Sequence, residues 1–134
     1  MKDFGATILR VIVGVVYMMH TYLALFVFTP GGTADYMKGL GLPAPVLMAW
    51  IAILVYSLGG IMLVVGLWTR VAAAANAVII LVAMLKVHFP QGFFTKVIDG
   101  QAAGYEFPLL LLGASIALIF TGGGALAAGS GLSN

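Results

Sequence analysis

Four long apolar stretches follow one another along this chain, separated by short segments rich in proline, glycine or polar residues. They cover approximately residues 5–28, 46–68, 71–87 and 105–121. A bilayer core about 30 Å thick needs roughly 20 apolar residues per helical span, so each stretch can form one crossing. The connection between the second and third stretches is so short that these two must form an antiparallel hairpin. The pattern predicts an all-α integral membrane four-helix bundle, one domain over residues 1–134 with both termini on the same side.

The composition excludes several other classes of protein. Charged residues make up 7% of the chain and hydrophobic residues 63%, whereas a soluble domain has roughly 25% charged residues. The net charge is only +2 and no Lys/Arg cluster is present, so we expect no nucleic-acid partner. Because cysteine is absent, disulfides, thiolate catalysis and Cys-ligated iron–sulfur clusters are excluded. Any redox cofactor must therefore be bound non-covalently.

Orientation in the membrane depends on the Lys and Arg residues near the span ends. Three lie on the side of the termini and three on the other side, respectively Lys2, Arg10, Arg70 and Lys38, Lys86, Lys96. Charge alone therefore does not orient the chain. The side away from the termini carries the two longer connections, residues 29–44 and 88–104, and most of the loop aromatic residues. We expect the functional face on that side.

Polar side chains inside a span are costly in lipid and are therefore candidates for function. In the first span one narrow face at helical spacing carries Arg10, Gly14, Tyr17, Thr21 and Phe28. This face must contact protein rather than lipid. Arg10 lies near the membrane end, so its side chain either reaches the headgroups or pairs inside the bundle.

His20 lies beside that face, roughly 12 Å from the far end of its helix at a rise of 1.5 Å per residue. It is too deep to reach water and needs an internal partner. Either it makes a structural hydrogen bond, or it binds a ligand. We predict Tyr17, His20 and Tyr56 as ligand-binding residues, because each offers a polar group within an apolar span.

Small residues within the spans predict close helix contacts. They occur at Gly59, Gly60, Gly66, Ala73, Ala77, Gly113 and Ala117. Asn76 lies among them and can hydrogen-bond across a helix interface. We interpret Asn76 and Arg10 as structural polar groups.

The densest group of ionisable residues is Lys86, His88 and Glu106, at nearly one depth where the third span ends and the fourth begins. Either a Lys–Glu ion pair stabilises this membrane edge, or the group handles protons or gates a ligand. A metal site is not expected. Two histidines that ligate a haem must face each other, and His20 lies roughly 12 Å below His88.

Several sequence segments resemble the DoxX family of small four-helix bacterial membrane proteins. The segments Val87–Phe94, Gly104–Leu109 and Thr121–Gly124 resemble it closely, and it is the combination of these short segments that is specific. Also similar are Leu9-Arg10 with Gly14 and His20, the segment Gly39–Pro45, the pair Gly59-Gly60, Gly66 and Thr69-Arg70. The resemblance spans nearly the whole chain.

The chain departs from that family pattern in two places. The family commonly has a Gly after the first-helix His and a Gln-Lys pair shortly beyond, where this chain has Thr21, Leu23 and Ala24. It also commonly has a Glu where this chain has Tyr56. An intramembrane Lys and an intramembrane Glu are thus both missing, so chemistry that needs that acid does not carry over.

The resemblance implies a multi-pass protein of the bacterial inner membrane with both termini in the cytoplasm. Family members are linked to quinone-dependent sulfur oxidation, as membrane subunits of thiosulfate:quinone oxidoreductase, and to oxidoreductase complexes in oxidative-stress defence. The resemblance therefore implies at most a quinone-linked oxidoreductase or a subunit of one.

Two hypotheses on function follow. In the first, the bundle binds a quinone or another lipophilic small molecule between its helices, on the side of the membrane away from the termini. In the second, it is a non-catalytic membrane subunit or scaffold whose oxidoreductase partner carries the cofactor. The expected protein partner is such an oxidoreductase subunit or further copies of this chain in a homo-oligomer. A small-solute transporter is a weaker third interpretation, because no span is broken at its centre.

Overall fold

The computed structural model describes residues 4–94 and 104–125, and the regular elements in these ranges are all helices. The α-helices, numbered in chain order, are α1 (Phe4–Tyr22), α2 (Thr29–Gly39), α3 (Pro45–Val65), α4 (Thr69–Ala83) and α5 (Glu106–Thr121). Two π-helical turns continue α1 and α4, at Leu23–Val27 and Met84–His88, and a 3-10 turn follows at Phe89–Gln91. Lys2 and Lys96, which enter the charge count above, lie outside the described ranges.

Three helical segments are long and apolar enough to cross a membrane. They are Phe4–Val27, Pro45–Val65 and Thr69–His88. The fourth, α5, has 16 residues, which at a rise of 1.5 Å per residue gives a length of about 24 Å. The predicted all-α membrane architecture is confirmed. Its last helix, α5, is shorter than the three long apolar segments.

Helix α2 occupies most of the segment that the sequence pattern assigned to a connection. Pro30 lies in its first turn, where the missing N–H has no partner to lose. Within this first turn the Thr29 hydroxyl accepts a hydrogen bond from the Gly32 N–H at 3.2 Å. Thr29 itself has a φ of 65°, which turns the chain between the π-helical turn and α2. Helix α2 packs against α3 and against the first π-helical turn.

Helices α1 and α3 pack together through facing glycines. A Cβ atom on Gly14 would lie 2.7 Å from the Gly60 carbonyl oxygen. One on Gly60 would lie 2.7 Å from the Cγ of Met18 and 3.0 Å from the Gly14 carbonyl oxygen. Because neither position has room for a side chain, the two backbones approach each other directly. Gly113 differs from this prediction, since it is exposed and a Cβ there would meet no described atom within 4 Å.

Helix α4 packs on α3 and α5, and Asn76 lies beside Gly59 of α3. A Cβ on Gly59 would overlap the Asn76 amide, so the absence of a side chain at Gly59 makes room for it. The Asn76 side chain is fully buried and donates from Nδ2 to the Ala72 carbonyl oxygen at 2.9 Å. Its Oδ1 has no hydrogen-bond partner in the described part of the chain. Asn76 thus bonds to its own helix rather than across the interface.

Arg10 links α1 to the end of α3 and to the segment after α5. It is 1% exposed, and its Nη1 donates to the carbonyl oxygens of Leu63 at 3.1 Å and Val64 at 2.5 Å. Its Nε donates to the Gly123 carbonyl oxygen, just after α5, at 2.8 Å. A cation is stabilised by the carbonyl oxygens at a helix C-terminus, such as those near the end of α3. Arg10 therefore pairs inside the bundle, and the start of α1 lies at the same end as the end of α5.

Replacement of Gly60 by Leu should lower stability, because the new side chain would overlap Gly14 and Met18. We expect a loss of about 1–3 kcal/mol in the free energy of unfolding in detergent. Gly113→Leu is the matched control, since it adds the same side chain where the described structure leaves open space. Equal melting temperatures for the two variants would show that α1 and α3 do not touch at Gly60.

Candidate functional site

A cavity of about 520 Å³ lies among α1, α2, α3 and the end of α4, towards the end of α1 remote from Arg10. Its described lining residues are His20, Leu23, Ala24, Phe28, Gly32, Thr33, Tyr36, Tyr56, Val87 and His88. The volume is within the range of roughly 300–1,000 Å³ that small-molecule sites occupy. None of these residues is Asp, Glu, Lys or Arg. The described wall is therefore apolar, with a few hydroxyl and imidazole groups.

Both π-helical turns border this cavity. Leu23 and Ala24 come from the first turn, and Val87 and His88 come from the second. A π-helical turn is a rare interruption of an α-helix and often occurs at a functional site. The presence of two such turns around one cavity marks this end of the bundle as the candidate site.

The first π-helical turn also ends the buried face of α1. The predicted polar stripe is buried at Arg10, Gly14, Tyr17 and Thr21. Phe28, on the same face by helical spacing, follows the π-helical turn and is 59% exposed. Since a π-helical turn holds more residues than an α-helical one, the residues after it are rotated relative to those before it.

His20 lies against the wall of the cavity and is held by its own helix. Its Nδ1 lies 2.9 Å from the Val16 carbonyl oxygen. A carbonyl oxygen only accepts, so this geometry assigns the hydrogen to Nδ1. In the neutral imidazole the other ring nitrogen, Nε2, is then an acceptor. His20 thus makes a structural hydrogen bond and still has a cavity beside it.

Tyr56 forms the neighbouring part of the wall. It is 8% exposed, and its ring stacks on that of Tyr17 with centroids 5.6 Å apart. The ring centroids of His20 and Tyr56 are 5.4 Å apart. Within the described ranges, no hydrogen bond involves the Tyr56 hydroxyl. This hydroxyl is a hydrogen-bond donor at the cavity wall.

Tyr17 lies behind the cavity rather than in its wall. It is fully buried, and its hydroxyl is 2.6 Å from the Ser115 Oγ on α5. Ser115 in turn donates to the Leu111 carbonyl oxygen at 2.9 Å, which makes Tyr17 the donor to Ser115. Tyr17 therefore links α1 to α5 and supports the Tyr56 ring. Ser115 was not among the predicted site residues, although a serine within an apolar span is a signal for such a contact.

The three ionisable residues predicted at the membrane edge differ in their exposure and in their relation to the cavity. His88 is half-buried and lines the cavity. Lys86 is exposed and Glu106 is half-buried at the start of α5, and neither is among the described lining residues. No group of three or more residues able to hold a metal ion occurs in the ranges that the structure describes.

Helix α2 contributes lining residues that were not predicted, because the sequence pattern indicated a connection there. Gly32, Thr33 and Tyr36 lie on this helix. The Thr33 hydroxyl donates to the Ala24 carbonyl oxygen at 3.2 Å, which ties α2 to the first π-helical turn. The spacing of Thr33 and Tyr36, about one helical turn apart, was the signal that could have placed them on one face.

The fold defines a helical membrane protein with a cavity at one end of the bundle. The DoxX family model matches residues 5–89, and the chain belongs to the DoxX family. All the described lining residues fall within the matched range. The chain is 32% identical over 120 residues to the Bacillus subtilis (strain 168) protein named "Putative oxidoreductase CatD", an alignment that covers 90% of this chain and 81% of that relative. No solved structure matches the chain.

The Tyr17–Ser115 hydrogen bond should contribute measurably to stability. We expect Tyr17→Phe to lower the free energy of unfolding in detergent by about 1 kcal/mol. Combined with Ser115→Ala, it should show a coupling energy of about 0.5–1.5 kcal/mol in a double-mutant cycle. Tyr22→Phe, which removes an exposed hydroxyl, is the control and should change nothing. Additive effects of Tyr17→Phe and Ser115→Ala would contradict a direct bond.

Proposed function

We propose that this chain binds a quinone, or another uncharged lipophilic molecule of similar size, in the cavity beside His20. The observation that carries the proposal is the cavity itself, about 520 Å³ with His20, Tyr56 and His88 set among apolar side chains. A quinone ring is flat and uncharged, and its two oxygen atoms need hydrogen-bond partners. An apolar slot with a few placed polar groups is the usual form of such a site.

The polarity of the wall favours an uncharged ligand. Leu23, Ala24 and Tyr56 line the cavity, and these are positions at which the chain departs from the common family pattern. Where that pattern has an intramembrane Gln-Lys pair and a Glu, this chain has two apolar side chains and a phenol. A charged ligand would lose its hydration there without gaining an opposite charge from the described wall.

The relative's name supports a redox setting, and we extend it to this chain as part of the proposal. The chain would act in a membrane oxidoreductase system, with the quinone as a non-covalent cofactor or substrate. We place it in the bacterial inner membrane with both termini in the cytoplasm, as the family resemblance implies. The cavity, at the end of α1 remote from Arg10, then lies in the periplasmic half of the membrane. His88 in its wall is the candidate for proton exchange with water.

Filling the cavity should weaken ligand binding. Ala24 lines it, so Ala24→Phe should weaken the binding of decylubiquinone at least tenfold by occupying the space of the ring. Ala75→Phe is the matched control, because Ala75 is exposed on α4 and should leave binding unchanged. Binding is measured on the purified full-length chain by quenching of its tryptophan fluorescence, and melting temperatures verify that both variants fold.

Two results would overturn the proposal. One is wild-type protein that neither retains an extractable quinone from native membranes nor binds decylubiquinone. The other is equal loss of binding in the Ala24 and Ala75 variants. Protein that binds no quinone, yet supports quinone reduction when purified together with a native partner, would establish the scaffold role instead.

A further inference from the structure

We propose that the cavity selects the reduced, hydroxyl-bearing form of a quinone pair, and that the Nε2 atom of His20 makes the selection. This inference rests on the proposed function, since it concerns the ligand of the same cavity. It adds which redox form is bound more tightly and which atom is responsible.

The contacts of the His20 ring fix its orientation. The hydrogen bond from Nδ1 to the Val16 carbonyl oxygen, at 2.9 Å, would be lost if the ring turned over. The ring of Tyr56 lies near it with centroids 5.4 Å apart, and that of Phe107 lies parallel to it within 3° at 6.4 Å. These contacts hold the imidazole in one plane. In its neutral form it therefore presents an acceptor, and not a donor, at Nε2.

The two ligand forms differ in the hydrogen bonds that they can make. A quinone oxygen is a carbonyl and only accepts hydrogen bonds, whereas a hydroquinone hydroxyl both donates and accepts. A carbonyl placed against neutral Nε2 would bring two lone pairs together, while a hydroxyl there would donate to it. The Tyr56 hydroxyl can donate to either form, so it contributes affinity without discrimination. His20 is the residue of this pair that discriminates.

The size of the preference for the reduced form follows from the cost of a polar atom without a partner. A polar atom left without a partner in a binding site typically weakens binding by about tenfold or more. A tenfold preference for the reduced form raises the midpoint potential of the bound pair by about 30 mV, because two electrons are transferred. Bound quinone is then a slightly stronger oxidant than free quinone. The site would stabilise the product of quinone reduction.

The test compares decylubiquinone with decylubiquinol, its reduced form, on purified full-length protein under anaerobic conditions. We expect the quinol to bind about tenfold more tightly to the wild type. His20→Gln should bring the ratio of the two affinities close to one, because its amide group offers both a donor and an acceptor. Tyr56→Phe should weaken both forms and keep the ratio. Melting temperatures verify folding, and potentiometric titration of the wild type, expected to show the shift of about 30 mV, does not depend on any variant.

Each outcome has a separate meaning. Failure of the wild type to bind either form overturns the proposed function and the inference with it. Binding of both forms with equal affinity, or tighter binding of the quinone, overturns the inference alone. A quinol preference that persists in folded His20→Gln protein shows that another atom selects the reduced form.

Discussion

The direct backbone contact between α1 and α3 at Gly14 and Gly60 sets the position of the candidate site. The two helices run antiparallel, so the residues one turn beyond Gly14 on α1 meet the residues one turn before Gly60 on α3. Tyr17 consequently stacks on Tyr56, with ring centroids 5.6 Å apart. A side chain at either glycine would separate the helices and would move His20 away from Tyr56. The cavity wall thus depends on the absence of two side chains.

The two ends of this helix pair are built differently. At one end, Arg10 is buried and binds carbonyl oxygens near the end of α3 and after α5. In lipid such carbonyls have no water to bond to, so a buried guanidinium that satisfies several of them is favourable. At the other end, the π-helical turns Leu23–Val27 and Met84–His88 interrupt the regular helices beside the cavity. Hydrogen bonds of Arg10 hold one end of the bundle together, and the cavity in which we propose that the ligand binds lies at the other end.

Part of this structure could be predicted from the sequence, because lipid requires apolar residues along each span and polar residues on protein-facing surfaces. Apolar stretches of span length predict the helices, and the polar stripe from Arg10 to Thr21 predicts the buried face of α1. The π-helical turns were not predictable, since they depend on tertiary packing and have no residue signature here. Helix α2 was not predicted, because its Pro30 and glycines are typical of turns. The Tyr17–Ser115 hydrogen bond could not be predicted either, because its prediction requires the relative register of α1 and α5.

The most direct measurement of the central claim is photolabelling of the full-length chain in native-like membranes with an azido-substituted benzoquinone. The account predicts labels on the two π-helical turns and on α2, the segments that border the cavity. An excess of decylubiquinone should remove those labels. Labels confined to lipid-facing side chains such as Leu110 and Phe120, which are 72% and 77% exposed, would contradict it.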